Sequence, residues 1–294
     1  MNRRIAMAAT DLAWGLWKEL GVPGVVRIPR PSVLDLEWLV VHTPFLCSGD
    51  PRLDELAFGW CVHNHSWIST RRLRAVAGRV APDVSGPFWT WAAELRSRAR
   101  LNWVKAHEAI PSSRHVRRLV PDMDRPSLAA LRSRSLFGVG ARADIVCALL
   151  ARDGQWLRAS DLMDVGYTKN AVVAVLTDLV RVQILASKQQ ANAATYTLTA
   201  SPLLRELLRV HDPSWIEWRH VFEIITALVR LEADGTKPEA IRRVAADQAR
   251  RDILPAVIAL DWPEPPKTAA VLTGHQSMLR WGLGCLEDLL GLGV

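Results

Sequence analysis

Residues 142 to 199 have the sequence RADIVCALLARDGQWLRASDLMDVGYTKNAVVAVLTDLVRVQILASKQQANAATYTLT. The apolar residues of its first ten positions recur at helical spacing, which predicts a helix over 142 to 151. Gly154 is suited to end that helix, because glycine tolerates the left-handed conformation. Ser160 is suited to cap a second, short helix, and Gly166 to make the tight turn after it.

A third helix is predicted over residues 168 to 182. Thr168 is suited to cap it, and its core positions follow the spacing i, i+4, i+7 and i+8 of an amphipathic helix. Those positions are Val172, Leu176, Leu179 and Val180. Two short β patterns follow, Gln183 to Ser187 and Thr195 to Thr199, with a polar tip between them. Three helices followed by a β-hairpin predict a winged helix-turn-helix.

The outward face of the third helix predicts contacts with DNA. An α-helix fits the major groove, and its N-terminal residues reach base edges first. Asparagine can pair with adenine, and lysine with guanine or with phosphate. The predicted DNA-contacting residues of this segment are Tyr167, Thr168, Lys169, Asn170, Val173, Thr177 and Arg181. Lys188 in the wing and Arg158 before the second helix are predicted to contact phosphate.

This segment resembles the winged-helix bacterial transcriptional regulators of the multiple-antibiotic-resistance and arsenic-repressor types. The resembling residues are Ala159-Ser160-Asp161-Leu162, Gly166-Tyr167-Thr168-Lys169, Val172, Leu176, Asp178-Leu179-Val180 and Tyr196. The resemblance covers about a fifth of the chain and implies a homodimer whose flanking helices form a dimer interface or a ligand pocket. The chain departs from that group in two ways. Its wing has one cation, Lys188, and Asp178 puts a negative charge on the third helix.

The positive charge of the chain is concentrated before this segment. The stretch from Phe88 to Arg142 contains eleven basic and four acidic side chains. Its net charge of +7 equals the net formal charge of the whole chain. One interpretation is a solvated helix face with internal ion pairs, and the other is an electrostatic footprint for DNA phosphate. In the second case the auxiliary phosphate contacts are Arg96, Arg100, Arg114, Arg117 and Arg118.

Breaks rich in proline and glycine divide the chain into four predicted regions. They are an N-terminal helical region 1–80, a basic helical connector 81–140, the winged helix-turn-helix 141–200 and a C-terminal helical region 201–294. Within the connector, Pro82 to Pro87 is predicted to be a linker and Phe88 to Ala109 a helix.

Region 1–80 has a spacing of tryptophan, leucine and glycine that echoes the winged helix. Convergence on a common turn chemistry is one explanation of this echo, and a second, degenerate helix-turn-helix is the other. Under the latter, Arg71, Arg72 and Arg74 would be further phosphate contacts.

Catalytic and metal-binding patterns are weak in this sequence. Cys61, His63 and His65 have side chains that zinc can bind, but residues two apart point to opposite sides of a helix. The chain has no nucleophile motif and no phosphate-binding loop, and its GVGARA stretch lacks the third glycine of a dinucleotide site. We therefore expect no enzyme, no metal and no cofactor.

Composition predicts a cytoplasmic protein without a membrane partner. No run of about 18 apolar residues is present, and the N-terminus does not resemble a signal peptide. The four cysteines lie in apolar contexts and are predicted to be reduced, buried thiols. The thirteen tryptophans are predicted mainly to pack helix junctions, and a pocket lined by some of them for a small apolar effector is the alternative.

Together these patterns predict a mainly α protein, with a central winged helix-turn-helix between N- and C-terminal helical regions. The predicted function is a transcriptional regulator that binds double-stranded DNA as a homodimer, with residues 168 to 182 as its recognition helix. The alternative is a protein-interaction or antitoxin-like subunit whose winged helix contacts a protein partner.

Overall fold

The computed structural model describes residues 4–24, 32–190, 193–210, 215–267 and 274–292. Within these ranges the protein is mainly helical and contains one small three-stranded antiparallel sheet, which confirms the predicted fold class at that level. The sequence also predicts an extended segment over Val25 to Ile28 and helices that start at Pro213 and Thr268, and these positions lie outside the described residues.

Among the described residues before position 100 there are five α-helices. They are α1 Arg4–Glu19, α2 Leu36–Leu46, α3 Pro51–Asn64, α4 Thr70–Ala77 and α5 Pro82–Arg98. The linker predicted at Pro82 to Pro87 is wrong, since α5 begins at Pro82. Proline is tolerated at a first helical position because its missing amide hydrogen would have no helical partner there. The predicted helix end at Ala109 is also wrong, because the chain becomes extended at Ala99, with φ −142° and ψ 155°.

The central part of the chain alternates helices with short strands. Its elements are α6 Ala129–Phe137, α7 Ala141–Ala151, β1 Leu157–Arg158, α8 Lys169–Arg181, β2 Leu185–Gln190, β3 Ala193–Leu198 and α9 Ser201–Leu207. Strand β3 lies between β1 and β2 and pairs antiparallel with both. The predicted first and third helices are confirmed as α7 and α8. A 3-10 turn, Ala159–Val165, stands where a second α-helix was predicted.

Three helices complete the described chain: α10 Trp218–Ala233, α11 Glu239–Ala259 and α12 Gly274–Leu289. The buried apolar side chains form two clusters. Helices α1 to α5 and α10 to α12 contribute to the first core, and α7, α8, α9 and the sheet form the second core. The predicted regions 1–80 and 201–294 therefore share a core. Most residues of the second core lie between these regions in the sequence. All four cysteines are buried and free, as predicted.

Candidate nucleic-acid interface

Helix α8 packs one face against the second core and exposes the other. Gly166 makes the turn before it with φ +92°, a conformation that glycine adopts without the steric penalty of a Cβ atom. Thr168 then caps the helix, because its Oγ1 accepts a hydrogen bond from the Ala171 amide at 3.4 Å. The buried face consists of Val172, Val175, Leu176 and Leu179. The exposed face consists of Lys169, Asn170, Val173, Ala174, Thr177 and Arg181.

The negative charge of Asp178 on α8 is offset by two arginines. One carboxylate oxygen lies 2.9 Å from Arg142 Nη2, and the other lies 3.4 Å from Arg181 Nη1. Lys169 is exposed and forms no ion pair within the described part of the chain. The N-terminal end of α8 therefore presents an available positive charge, and the dipole of the helix adds to it.

The two predicted phosphate contacts outside α8 lie in one row of the sheet. Arg158 on β1 and Lys188 on β2 are both paired in register with Thr195 on the central strand β3. Directly opposed residues of neighbouring strands point to the same face, so both cations are on one side of the sheet. The Lys188 ammonium lies 3.9 Å from the centre of the Trp156 ring, a cation–π contact that restrains this long side chain.

Tyr167 does not belong to the exposed surface, which corrects its prediction as a base contact. Its side chain is buried, and its hydroxyl donates a hydrogen bond to the Asp144 carboxylate at 2.7 Å. The same hydroxyl lies 3.1 Å from Ser69 Oγ. Burial and the nearby Asp144 carboxylate raise the pKa of the Tyr167 phenol, which therefore stays protonated and keeps its role as a donor. Tyr167 thus connects the start of α8 to α7 and α4.

Behind α8 lies a cluster that we call the buried ion network, formed by Asp35, Glu37, Arg72, Arg134 and Asp144. Arg134 donates to both oxygens of Glu37 at 2.8 Å and to Asp144 at 2.9 Å. Arg72 donates to Glu37 at 2.5 Å and forms an ion pair with Asp35. Burial alone would raise the pKa of the Glu37 carboxyl, but Arg134 and Arg72 outweigh it and hold that pKa well below its usual range. Glu37 therefore remains ionised.

The network also reaches the turn before α8. Arg72 Nε donates to the Val165 carbonyl at 2.8 Å, and a Cβ atom at Gly166 would lie 3.2 Å from Arg72 Cγ. The alternative prediction that Arg72 contacts phosphate is therefore wrong, because its guanidinium is buried among carboxylates. These contacts hold the N-terminal end of α8 in a set position relative to the first core.

The predicted auxiliary phosphate contacts differ in availability. Arg114 forms ion pairs with Asp54 and Glu94, so its charge is used inside the protein. Arg96 donates to the side-chain oxygen of Asn102 at 3.0 Å. The remaining three, Arg100, Arg117 and Arg118, are exposed. Some of the predicted arginines before α7 are thus bonded to other side chains of the protein, and the others are exposed on its surface.

The sequence suggested Arg71 as a phosphate contact only because the spacing in region 1–80 is similar to that of the predicted winged helix. The two turns differ, because Gly78 has φ −77° whereas Gly166 is left-handed. Arg71 is nevertheless exposed beside α8, with Nη2 lying 3.4 Å from Thr168 Oγ1. Its guanidinium also lies 5.9 Å from the centre of the Tyr167 ring. The tertiary structure, not a repeated motif, places Arg71 next to the predicted base contacts.

A cavity of about 440 Å³ lies between the two cores. Its aromatic walls are Trp38, Trp215 and Trp218, but charged side chains line it as well. They are Asp35, Arg72, Arg134, Asp144, Arg152, Asp164, Glu217, Arg219 and His220. The tryptophan-lined space is therefore not purely apolar, and the predicted apolar effector stays a prediction.

The histidines near Cys61 bond to the backbone of their own helix. His63 Nδ1 lies 3.0 Å from the Gly59 carbonyl oxygen, and His65 Nδ1 lies 3.1 Å from that of Val62. Among the described residues, no group of three histidine, cysteine or acidic side chains is arranged to hold a metal ion.

No family model, curated protein or solved structure matches this chain. None of the helices in the described ranges combines the length and apolar character needed to cross a membrane.

Proposed function

We propose that this protein is a DNA-binding transcriptional regulator in which residues 141–200 form a winged helix-turn-helix and α8 is the recognition helix. The observation that carries the proposal is that two surfaces of the second core expose basic and polar side chains. One is the end of α8 with Lys169 and Asn170, and the other is the sheet row with Arg158 and Lys188. The order of elements, with β3 paired between β1 and the hairpin strand β2, supports the same assignment.

The residue types on these surfaces suit duplex DNA. Lys169 and Asn170 can donate to base edges in the major groove, where lysine pairs with guanine and asparagine with adenine. Val173 and Thr177 lie further along the same exposed face, where their methyl groups can contact thymine. Arg158, Lys188 and Arg181 supply cations for the phosphate backbone, and such contacts fix orientation rather than sequence preference.

The test compares two double variants. A binding site is first selected from a random duplex pool, and affinities are then measured by fluorescence anisotropy over a salt series. Lys169→Ala with Asn170→Ala removes two predicted base contacts, each worth roughly 1–3 kcal/mol of discrimination. We expect at least about a 30-fold loss of affinity for the selected site and a much smaller loss for random DNA. The matched control is Lys267→Ala with Gln276→Ala, which removes one cation and one amide from exposed positions outside α8.

Two results would contradict the proposal at different levels. Unchanged affinity of the α8 variant for the selected site would remove α8 as the recognition helix. Absence of any binding by the unchanged protein at low salt would remove the DNA-binding function itself.

A protein-interaction subunit is the second candidate. Leu203 and Leu207 lie one turn apart on α9 and are 63% and 51% exposed, so they form an apolar strip on the second core. Such a strip fits a protein partner better than it fits DNA. Copurification of a stoichiometric protein partner, lost in Leu203→Ser with Leu207→Ser, would support this candidate over DNA binding.

A further inference from the structure

A second cleft lies on the α4 side of Tyr167 and has a volume of about 540 Å³. It is bounded by α4 and by the first residues of α7. Its polar lining consists of His65, Ser66, Ser69, Thr70, Arg71, Arg100, Asn102 and Tyr167. Two of the described residues that line this cleft are arginines, and none of these lining residues is acidic.

The cleft differs in this respect from the cavity between the two cores. There, the arginines are balanced by carboxylates, such as Arg152 by Glu217 and Arg219 by Asp164, at 2.8 and 2.9 Å. Within the described part of the chain, Arg71 and Arg100 have no carboxylate partner, and both are exposed. An exposed concave surface with unbalanced positive charge attracts anions, because the low-dielectric walls concentrate the field.

The position of the cleft relative to α8 is set by buried contacts. The Ser69 amide donates to Glu37 at 2.8 Å, and the Ser69 hydroxyl caps α4 and contacts Tyr167. Arg71 follows two residues later and lies against Thr168, the cap of α8. An anion held by Arg71 would therefore sit next to the helix end that carries the predicted base contacts.

We propose that this cleft binds a backbone phosphate of the same DNA duplex that α8 contacts, and the proposal rests on the function proposed above. Arginine, serine, threonine and asparagine side chains are the groups that proteins use on phosphate oxygens. The contact extends the DNA-binding surface from the second core onto the first, and it fixes the angle at which α8 meets the groove.

The experiment uses the full chain and measures affinity for duplex DNA across a salt series. Each phosphate contact adds about 0.9 to the slope of log affinity against log salt. We therefore expect Arg71→Ala with Arg100→Ala to reduce the slope by about 1–2 and to weaken selected and random duplexes by a similar factor. The charge-matched control, Arg243→Ala with Arg280→Ala, removes two exposed arginines from α11 and α12 and should leave the slope unchanged.

A second variant separates the cleft from the cap of α8. Arg71 touches Thr168, so its loss also disturbs α8, whereas no hydrogen bond or ion pair joins Arg100 to that helix in the described part of the chain. Arg100→Ala alone should still lower the slope, by up to about 1. Equal unfolding midpoints of the variants and the unchanged protein would establish that folding is intact.

Each outcome has a distinct meaning. If the unchanged protein binds DNA and the Arg71, Arg100 variant keeps the full slope, the cleft proposal is overturned and the proposed function stands. If the unchanged protein does not bind DNA, both fall. Stabilisation of the protein by inorganic phosphate, lost in the double variant without a change of slope, would assign the cleft to a free anion and overturn the DNA contact.

Discussion

Replacing Arg134 with methionine should break the connection between the two cores. The Arg134 side chain is 2% exposed and donates to Glu37, to Asp144 and to the Trp67 carbonyl at 2.8 to 2.9 Å. Methionine is unbranched like the stem of arginine, but it is shorter and has no hydrogen-bond donor. Among the described residues, the change therefore leaves Glu37 with Arg72 as its one arginine partner, and it leaves Asp144 with the Tyr167 hydroxyl.

The expected cost follows from leaving buried charges without a partner. Removing one member of a buried ion pair costs about 3–5 kcal/mol, which is a large part of the roughly 5–15 kcal/mol that stabilises most domains. Urea unfolding followed by circular dichroism measures this loss. Because Arg134 also supports the placement of α4 beside α8, DNA affinity should fall even under conditions where the variant is folded.

The matched control is Arg142→Met, which breaks the exposed pair with Asp178. Both side chains of that pair are about half exposed, so the loss should stay below about 1 kcal/mol. If Arg134→Met costs no more than this control, the buried ion network does not hold the two cores together, and the reasoning is wrong.

Three further predictions concern single positions. Tyr167→Phe should lower stability by about 1–3 kcal/mol, because it leaves buried acceptors unpaired; DNA affinity of the folded variant should stay within about 2-fold, and a large loss would restore Tyr167 as a base contact. Burial lowers the pKa of His42 to about 4. Protonation therefore favours the unfolded chain, and the free energy of unfolding should fall by about 3 kcal/mol as the pH drops from about 6.5 to about 4; a His42 pKa near 6.5 in an NMR titration would contradict this. Gly21 and Gly154 both have positive φ, but only at Gly21 would a Cβ atom meet a backbone oxygen, that of Val120 at 2.5 Å. Gly21→Ala should therefore lower the melting temperature clearly more than Gly154→Ala, and equal effects would refute the close approach.

Local patterns were sufficient to predict α8 and the turn before it. The cap at Thr168, the turn at Gly166 and the core spacing from Val172 to Leu179 are confirmed. Each of these features depends on residues within a few positions of one another, so the local sequence is sufficient to predict it. The start of α5 was missed because its prolines indicated a break. Proline is tolerated at the first helical position, where Pro82 lies, whereas Pro87 lies inside the helix.

The availability of each arginine could not be predicted in this way. The charge count located a basic stretch before α7, but it could not separate Arg114 and Arg134, which are paired internally, from the exposed Arg100. Arg134 meets Glu37 from 97 positions away, and Arg71 meets Thr168 from the same separation. Whether a charged side chain faces carboxylates or solvent depends on these distant partners.

The sequence by itself thus determined α7 and α8, the cap and the turn at the start of α8, and the residue types on its exposed face. Only the tertiary structure decided that the two flanking regions share one core, that Tyr167 is an internal contact and that Arg71 lies at the end of α8. Periodicity and capping are properties of neighbouring residues, whereas burial and ion pairing arise when segments far apart in sequence pack together.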